Sequence, residues 1–374
     1  MGPVQAILRE SRRIAEADDL DSVILFVTST CNLRCGFCCY AEHLNTSDDI
    51  PLADLLTISR TAPRFRALLI SGGEPFLRRD LPEIMSAFVA NNGVESISIP
   101  TNGWYGDRSV EATRAFVTAN PDTVLSVTFS VDGFAPLHDR VRGRPGTFDR
   151  LCRTIRLMEP LREVSRNLRL RVNTVVTSDN IDEVRALIDW FHATFDVLDE
   201  HALEVVRDLT ADGADHESAE RRQLADRYVD LVGHANRRYA GREGQRGQLP
   251  GVPDAAANII GAAHALAAAG VKRDRILGRL WGFPCTAGRK IVVIDGEGSL
   301  KACEHRGTVV DLRAHGFDVT AALASEAMGG ERRAIAGDGC DCIHGCFVGN
   351  SLKHSPKAVL RREIPAALRV MTRR

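Results

Sequence analysis

Over the first two hundred residues, the pattern of hydrophobic and polar positions switches repeatedly between strand-length apolar runs and stretches with helical spacing. Apolar, often β-branched runs of strand length occur at 22–28, 67–70, 96–101, 124–131, 168–176 and 202–207. Amphipathic stretches with helical spacing lie between them at 52–66, 81–91, 110–120, 147–158 and 182–195. Such alternation predicts βαβ units and a parallel sheet. At the second of these helices, Asp80, Pro82 and Glu83 predict a capping box.

The rest of the chain has a mainly helical pattern. Residues 4–17 predict a helix that is too short for a separate peptide-binding module. Helices are also predicted at 217–240, at 255–269 and, with amphipathic character, at 357–374, and the loop at 241–253 is rich in Gly, Gln and Pro. Apolar residues on both sides of Asp295-Gly296 predict a β-hairpin.

Length and charge narrow the functional classes. The 374 residues, 44% hydrophobic, suffice for one large and one smaller domain. A formal net charge of −1 disfavours a nucleic-acid partner. No apolar stretch approaches a membrane span, and the first residues lack an apolar signal-peptide core. Since the ten cysteines cluster at metal-ligand spacings, we expect a cytoplasmic protein with reduced thiols and no membrane partner.

Three cysteines follow the first predicted strand at C-x3-C-x2-C spacing. Cys31, Cys35 and Cys38 fit within one loop, so their sulfurs can converge on one metal centre. Structural zinc takes four protein ligands, whereas three thiolates leave a position open for a cofactor or substrate. Thiolates also suit iron–sulfur clusters. The alternative is a zinc loop with Cys39 as the fourth ligand.

Polar and glycine-rich segments follow the next three predicted strands. They are Ser71-Gly72-Gly73-Glu74-Pro75, Pro100-Thr101-Asn102-Gly103 and Ser130-Val131-Asp132-Gly133, the last continuing into His138-Asp139-Arg140-Val141-Arg142-Gly143. Glycines let the backbone approach a ligand, and we expect their amide and carbonyl groups to be free to bind it. Each segment alone could equally be a turn or a solvated loop.

Together these motifs resemble the radical S-adenosylmethionine (SAM) superfamily. The resemblance implies a partial (β/α)6 TIM-like barrel over about residues 21–208, with the site at the carboxyl ends of the strands. It implies a 4Fe–4S cluster bound by Cys31, Cys35 and Cys38, with SAM on the fourth iron. The implied SAM contacts are Phe37, Gly72, Gly73, Glu74, Pro75, Asn102, Ser130, Arg142 and Val175.

For two of these implied SAM contacts, other residues could fill the same role. The family's arginine pairs with the SAM carboxylate, which a guanidinium fork suits, and Arg140 and Arg144 compete with Arg142 for that role. Val175 or Val176 would contact the adenine.

A second set of cysteines lies in the last quarter of the chain. Cys285, Cys303, Cys340, Cys342 and Cys346 follow a C-x12-G-x4-C pattern and then a cysteine-rich loop. The arrangement resembles the SPASM/twitch extension of radical SAM enzymes. Full SPASM uses seven cysteines for two clusters, so five imply one auxiliary 4Fe–4S cluster, ligated by Cys285, Cys303, Cys346 and either Cys340 or Cys342. A structural zinc knot is the alternative.

The resulting domain prediction has five parts. They are an N-terminal segment at 1–20, the barrel at 21–208, a helical linker at 209–280, an auxiliary cluster domain at 281–350 and a helical tail at 351–374. The two remaining cysteines are expected to be structural, Cys39 beside the loop and Cys152 as a buried core thiol.

The resemblance implies an enzyme that cleaves SAM to a 5′-deoxyadenosyl radical and abstracts a hydrogen from its substrate. An auxiliary cluster suggests a two-electron oxidation of a small natural-product precursor such as a sugar or cyclitol. Maturation of a ribosomal peptide, by crosslinking or epimerisation, is the second hypothesis, and a non-catalytic iron–sulfur or zinc protein is the third. We expect an external one-electron donor of flavodoxin or ferredoxin type.

Overall fold

Two compact units make up the chain. The computed structural model describes residues 2–16, 20–46, 49–207, 218–242 and 254–372. The strand-rich unit comprises Asp19–Val172 and Ala287–Ala334, and the helix-rich unit comprises Met1–Asp18, Asn173–Thr286 and Ile335–Arg374. These units group residues differently from the five predicted domains, whose boundaries stay a prediction.

Nine strands occur along the described chain. They are β1 Ser22–Thr28, β2 Ala67–Gly72, β3 Ser96–Thr101, β4 Val124–Ser130, β5 Leu168–Val176, β6 Leu198–Val205, β7 Ile291–Ile294, β8 Ser299–Lys301 and β9 Val310–Asp311. In the strand-rich unit the order is β5-β4-β3-β2-β1-β7-β8-β9, and β6 lies beside β5 in the helix-rich unit. The predicted fold class is confirmed: β1 to β6 form a six-stranded parallel partial barrel, followed by a C-terminal extension.

Helices connect the strands and form most of the second unit. The first seven are α1 Pro3–Glu16, α2 Leu52–Thr61, α3 Leu81–Asn92, α4 Gly106–Ala119, α5 Ala135–Arg142, α6 Thr147–Val164 and α7 Val184–Thr194. The others are α8 Ala219–Arg238, α9 Asp254–Ile276, α10 Val319–Ala324, α11 Glu326–Gly337, α12 Gly345–Lys353, α13 Pro356–Ala358 and α14 Ile364–Thr372. Of the predicted loop at 241–253, only residues 241 and 242 lie within the described part of the chain.

The core of the strand-rich unit consists of apolar side chains on neighbouring strands. Leu25, Leu68, Ile97 and Leu125 are almost completely buried. Pairing between β1 and β2 is parallel but shifts between Phe26 and Thr28, which indicates a bulge. The bulge lies directly before the cysteine loop.

The hairpin at Asp295-Gly296 is present and extends the sheet. β7 and β8 pair antiparallel, and β7 pairs in parallel with the free edge of β1. Cys303 comes two residues after β8, so it belongs to the strand-rich unit. A Cβ on Gly296 would lie 2.9 Å from the hydroxyl of Tyr40, which places the hairpin turn against the segment that follows the cysteine loop.

Two local predictions are wrong, and one helix was not predicted. Asp80 makes no capping bond to α3, because its carboxylate binds Arg78 (Oδ1 to Nε, 2.7 Å), which in turn donates to the carbonyl of Val27 at the bulge (2.7 Å). The segment after β4 is a helix, α5, that ends at the left-handed Gly143 (φ 69°). Cys152, expected to be buried, is half-buried on α6.

The expectation that no apolar stretch approaches a membrane span is wrong for one helix, which is long and apolar enough by length and composition alone. In Ala255–Ile276 of α9, 44% of the best apolar window is buried. Within its own unit, α9 packs against α8, α12 and α14.

Candidate active site

The cysteine loop leaves the carboxyl end of β1 and is tied to a later segment. The amide of Cys31 donates to Oδ1 of Asn45 (3.1 Å), and Nδ2 of Asn45 donates to the carbonyl of Cys31 (3.3 Å). Asp49 accepts from the Ser29 amide (2.8 Å) and the Thr28 hydroxyl (2.7 Å). Sequence reasoning missed Asn45 and Asp49, because nothing distinguishes them from ordinary loop residues.

The three thiols of the loop are half-buried, and Cys39 is exposed. Burial raises the pKa of Cys31 to about 11 and also raises the pKa of Cys38. Both thiols are therefore protonated at neutral pH until a metal displaces the proton.

The spacing of the thiols bears on the choice between zinc and iron. Within the described part of the chain, no three His, Cys, Asp or Glu side chains lie close enough to share one metal ion. In a 4Fe–4S cluster each thiolate ligates its own iron, so three thiols leave one iron for another ligand. The donor set of this loop fits such a cluster.

Two glycines, the last residue of β2 and the one that follows it, are required by the chain's own backbone. A Cβ on Gly73 would lie 2.1 Å from the carbonyl oxygen of Thr30, and one on Gly72 (φ 118°) would lie 2.3 Å from that of Thr28. The amide of Gly73 donates to the carbonyl of Thr28 (2.8 Å), and the amide of Glu74 donates to the carbonyl of Thr30 (2.9 Å). The Gly73 amide is therefore not free for a ligand, contrary to the expectation, and the segment fixes the cysteine loop against β2.

Glu74 joins the ends of β2 and β3. It is 3% exposed, and its carboxylate accepts from the Thr101 hydroxyl (Oε1, 2.8 Å), the Asn102 amide (Oε2, 2.8 Å) and the Phe76 amide (Oε1, 3.3 Å). Burial raises its pKa to about 7, although these donors favour the charged form. Pro75, which is buried, starts the short 3₁₀ turn Pro75–Leu77.

Asn102 connects β3 to the cysteine loop. Its Nδ2 donates to Oδ1 of Asn32 (3.0 Å), and its Oδ1 accepts from the amide of Trp104 (2.9 Å). Nδ2 of Asn32 is buried and has no hydrogen-bond partner among the described residues. Ser130, the last residue of β4, is half-buried.

Arg142, at the end of α5, is buried against the cysteine loop. Its Nη2 lies 2.5 Å from Oδ2 of Asp132, and its Nη1 donates to Sγ of Cys35 (3.5 Å). Its Cζ lies 6.0 Å from the centroid of the Phe37 ring. Asp132, which sequence reasoning did not assign, is 0% exposed.

The two rival arginines differ from Arg142 in burial. Arg140 and Arg144 are exposed. Arg144 stacks over Trp104 (Cζ to centroid 3.7 Å) and donates from Nη1 to the carbonyl of Asn32 (3.4 Å).

Two buried donors beside the thiols fit a bound cluster and SAM. Nε of Arg142 and Nδ2 of Asn32 have no partner within the described residues. An unpaired buried N–H is costly, so each is expected to be satisfied by a group that binds here. Sulfide, carboxylate and thiolate are all suitable acceptors.

Most of the second cysteine set lies in the helix-rich unit. Cys285, Cys340, Cys342 and Cys346 belong to it, as does Val175, whereas Cys303 belongs to the strand-rich unit. The indole Nε1 of Trp281 donates to the carbonyl of Cys342 (2.9 Å), and Asp341 pairs with Arg275 (3.1 Å).

The loop between Cys342 and Cys346 packs against the end of β6. A Cβ on Gly345 would lie 2.3 Å from Oε1 of Glu204, whose Oε2 bonds the buried Lys272 (2.5 Å). Sequence reasoning missed this pair, because its two members are 68 residues apart.

A family model and several known proteins match this chain. Residues 25–191 match the model described as the radical SAM superfamily. The GTP 3′,8-cyclase of Xanthomonas campestris pv. campestris is 29% identical over 184 residues, covering 46% of this chain and 51% of the cyclase. The chain thus spans about half the length of the curated relatives it matches.

Two solved structures share the fold. AnSMEcpe with bound AdoMet, which is SAM, has a TM-score of 0.58 at 14% identity, covering 95% of this chain and 100% of that one. SuiB of Streptococcus suis bound to the precursor peptide SuiA has a TM-score of 0.52 at 17% identity, covering 88% and 70%. The match of residues 25–191 to the family model, the three thiols that follow the first strand and the shared fold make this chain similar to enzymes of the radical SAM superfamily.

Proposed function

We propose that this enzyme uses SAM to oxidise a small natural-product precursor, such as a sugar or cyclitol, by two electrons. The observation that supports the proposal is the presence of two cysteine sets. One follows β1 beside the Gly-Gly-Glu-Pro segment, and the other comprises Cys285, Cys303, Cys340, Cys342 and Cys346. A second cluster would accept the electron that leaves the substrate after hydrogen abstraction.

The proposed SAM site uses the ends of several strands. It comprises Phe37, Gly72, Gly73, Glu74, Pro75, Asn102, Ser130, Arg142 and Val175. Arg142 is proposed to donate to the SAM carboxylate, which is supported by its burial and its unpartnered Nε. Glu74 and Asn102 position this site, because their side chains connect β2, β3 and the cysteine loop.

Cys31, Cys35 and Cys38 would hold the cluster, and together with SAM it would supply the one-electron chemistry that begins hydrogen abstraction from the substrate. The chain's own part is to hold the loop rigidly and to exclude water from the reacting atoms. The hydrogen bonds that loop amides donate to Asn45 and Asp49, together with the packing of Gly73, provide that rigidity.

We further propose one auxiliary 4Fe–4S cluster on Cys285, Cys303, Cys346 and one of Cys340 and Cys342. An external flavodoxin- or ferredoxin-type protein would supply the first electron. Reduced thiols and oxygen-sensitive clusters favour a cytoplasmic location.

The test is an anaerobic incubation with reductant, SAM and a substrate panel of sugars, cyclitols, GTP and a peptide. GTP is included because of the similarity to GTP 3′,8-cyclases over half their length. The expected result is 5′-deoxyadenosine together with a sugar or cyclitol product that has lost two hydrogens. Product formation only from the peptide or only from GTP would contradict the proposed substrate class.

A further inference from the structure

The side chain of Arg142 lies between a carboxylate and a cluster ligand. Nη2 pairs with Asp132 (2.5 Å) and Nη1 donates to Sγ of Cys35 (3.5 Å), with 8% of the residue exposed. A guanidinium stays protonated in proteins, and the carboxylate of Asp132 pairs with it. The guanidinium is therefore a fixed positive charge beside a sulfur that ligates iron.

Backbone contacts fix this arrangement. The amide of Gly36 donates to the carbonyl of Val141 (3.0 Å), and that of Arg34 donates to the carbonyl of Arg142 (3.4 Å). A Cβ on Gly143 would lie 2.8 Å from the carbonyl oxygen of Arg34. The cysteine loop and the end of α5 are thus held together independently of the guanidinium.

Asp132 is itself held in place. Its amide donates to Nδ1 of His138 (3.1 Å), and His138 is completely buried. The carboxylate therefore anchors one side of the guanidinium, so that the other side faces Cys35.

We propose that Arg142 sets the reduction potential of the cluster bound by Cys31, Cys35 and Cys38. Reduction adds one electron to the cluster, and no bond is made or broken at Arg142. A nearby positive charge and an N–H···S hydrogen bond stabilise the more negative, reduced state, so they raise the potential. Arg142 is in this respect a positioning and tuning residue, in addition to its proposed contact with SAM.

The proposal rests on the cluster that the superfamily implies, and it does not depend on the substrate. The measurement is an EPR-monitored redox titration of the reconstituted full chain without SAM or substrate. The relevant signal is the one that is absent from the protein in which Cys31, Cys35 and Cys38 are all replaced by Ala.

Arg142→Gln is the main variant, because it removes the charge but keeps a polar side chain. We expect its midpoint potential to fall by about 59 mV, which corresponds to about a tenfold change in the one-electron equilibrium. Arg144→Gln is the matched control, because Arg144 is exposed in the same segment and bonds a carbonyl rather than a thiol. Its midpoint is expected to equal that of the wild type.

An unchanged midpoint in Arg142→Gln, with full iron content, would overturn the proposal. If that variant does not bind iron, Asp132→Asn decides. It removes the carboxylate that partly compensates the charge of Arg142, so a higher midpoint supports the proposal and an unchanged one rejects it.

Discussion

Glu74 is the residue at which the sequence motif and its structural role differ most. The motif marks it as a ligand contact, yet its carboxylate is nearly buried and accepts from two backbone amides and one hydroxyl. Its raised pKa of about 7 shows that burial outweighs these donors. The residue therefore fixes the geometry of the strand ends, and it does so at an electrostatic cost.

His138 gives a pH-dependent prediction. Burial, followed by the charge of Arg142, lowers its pKa from 6.5 to about 3. Below pH 6.5 the unfolded chain takes up a proton that the folded chain does not, so stability falls as the pH decreases. The slope is about 1.4 kcal/mol per pH unit for this group.

The test compares the wild type with His138→Asn, whose amide oxygen can still accept from the Asp132 amide. Between pH 7 and pH 5 the wild type should lose ~2 kcal/mol more unfolding free energy than the variant, by urea titration. The exposed His315→Asn serves as the control and should lose as much as the wild type. Equal losses in wild type and His138→Asn would contradict the assigned pKa.

At the scale of single residues, the sequence identifies groups with a recognisable spacing and misses those that act through the fold. Cys31, Cys35 and Cys38 could be singled out because three thiols lie within one loop. Asn45 and Asp132 could not, because their partners become neighbours only after the strands pair.

Among the elements, the Gly-Gly segment after β2 makes a prediction with an internal control. Gly73→Ala would place a Cβ 2.1 Å from the carbonyl oxygen of Thr30, whereas a Cβ on Gly36 would meet nothing within 4 Å. Gly73→Ala should lower stability by ~1–3 kcal/mol and reduce the iron bound per chain, because Thr30 precedes Cys31.

The control is Gly36→Ala, which lies within the cysteine loop itself. It should retain wild-type stability and iron content. Urea denaturation and iron analysis measure both quantities. If Gly73→Ala behaves like Gly36→Ala, the tight packing of β2 on the loop is not what holds the cysteines.

The second cysteine set predicts the number of clusters. Three thiolates in one set and four in the other imply about eight irons per chain, whereas a zinc knot implies about four irons and one zinc. Of Cys340→Ala and Cys342→Ala, one should keep both clusters and the other should lose one. Iron, sulfide and zinc analysis after anaerobic reconstitution decides, and loss in both variants or in neither would refute the ligand assignment.

Elements with strong apolar runs could be predicted closely from the sequence, and irregular ones could not. β1, β3 and β5 begin and end where predicted, because β-branched runs bounded by polar residues leave few alternatives. β6 begins four residues earlier than predicted, since Asp199 and His201 interrupt its apolar pattern. The helix α5 was missed because Pro136 and its arginines resemble a solvated loop.

For the molecule as a whole, the sequence predicted the fold class but not the division into units. Contacts form between residues far apart in sequence, so the boundary between the units falls within β5. The pairing of the β7–β8 hairpin with β1 likewise could not be foreseen, because short hairpins do not specify which edge they join.

The central claim is that Cys31, Cys35 and Cys38 bind the cluster that cleaves SAM. The most direct measurement is 5′-deoxyadenosine formed by anaerobically reconstituted protein with SAM and reductant, in the wild type and in the triple Cys→Ala variant, with Cys39→Ala as a control from the same loop. The wild type and Cys39→Ala should form 5′-deoxyadenosine, and the triple variant should form none while keeping about four irons. Undiminished 5′-deoxyadenosine formation in the triple variant would contradict the account.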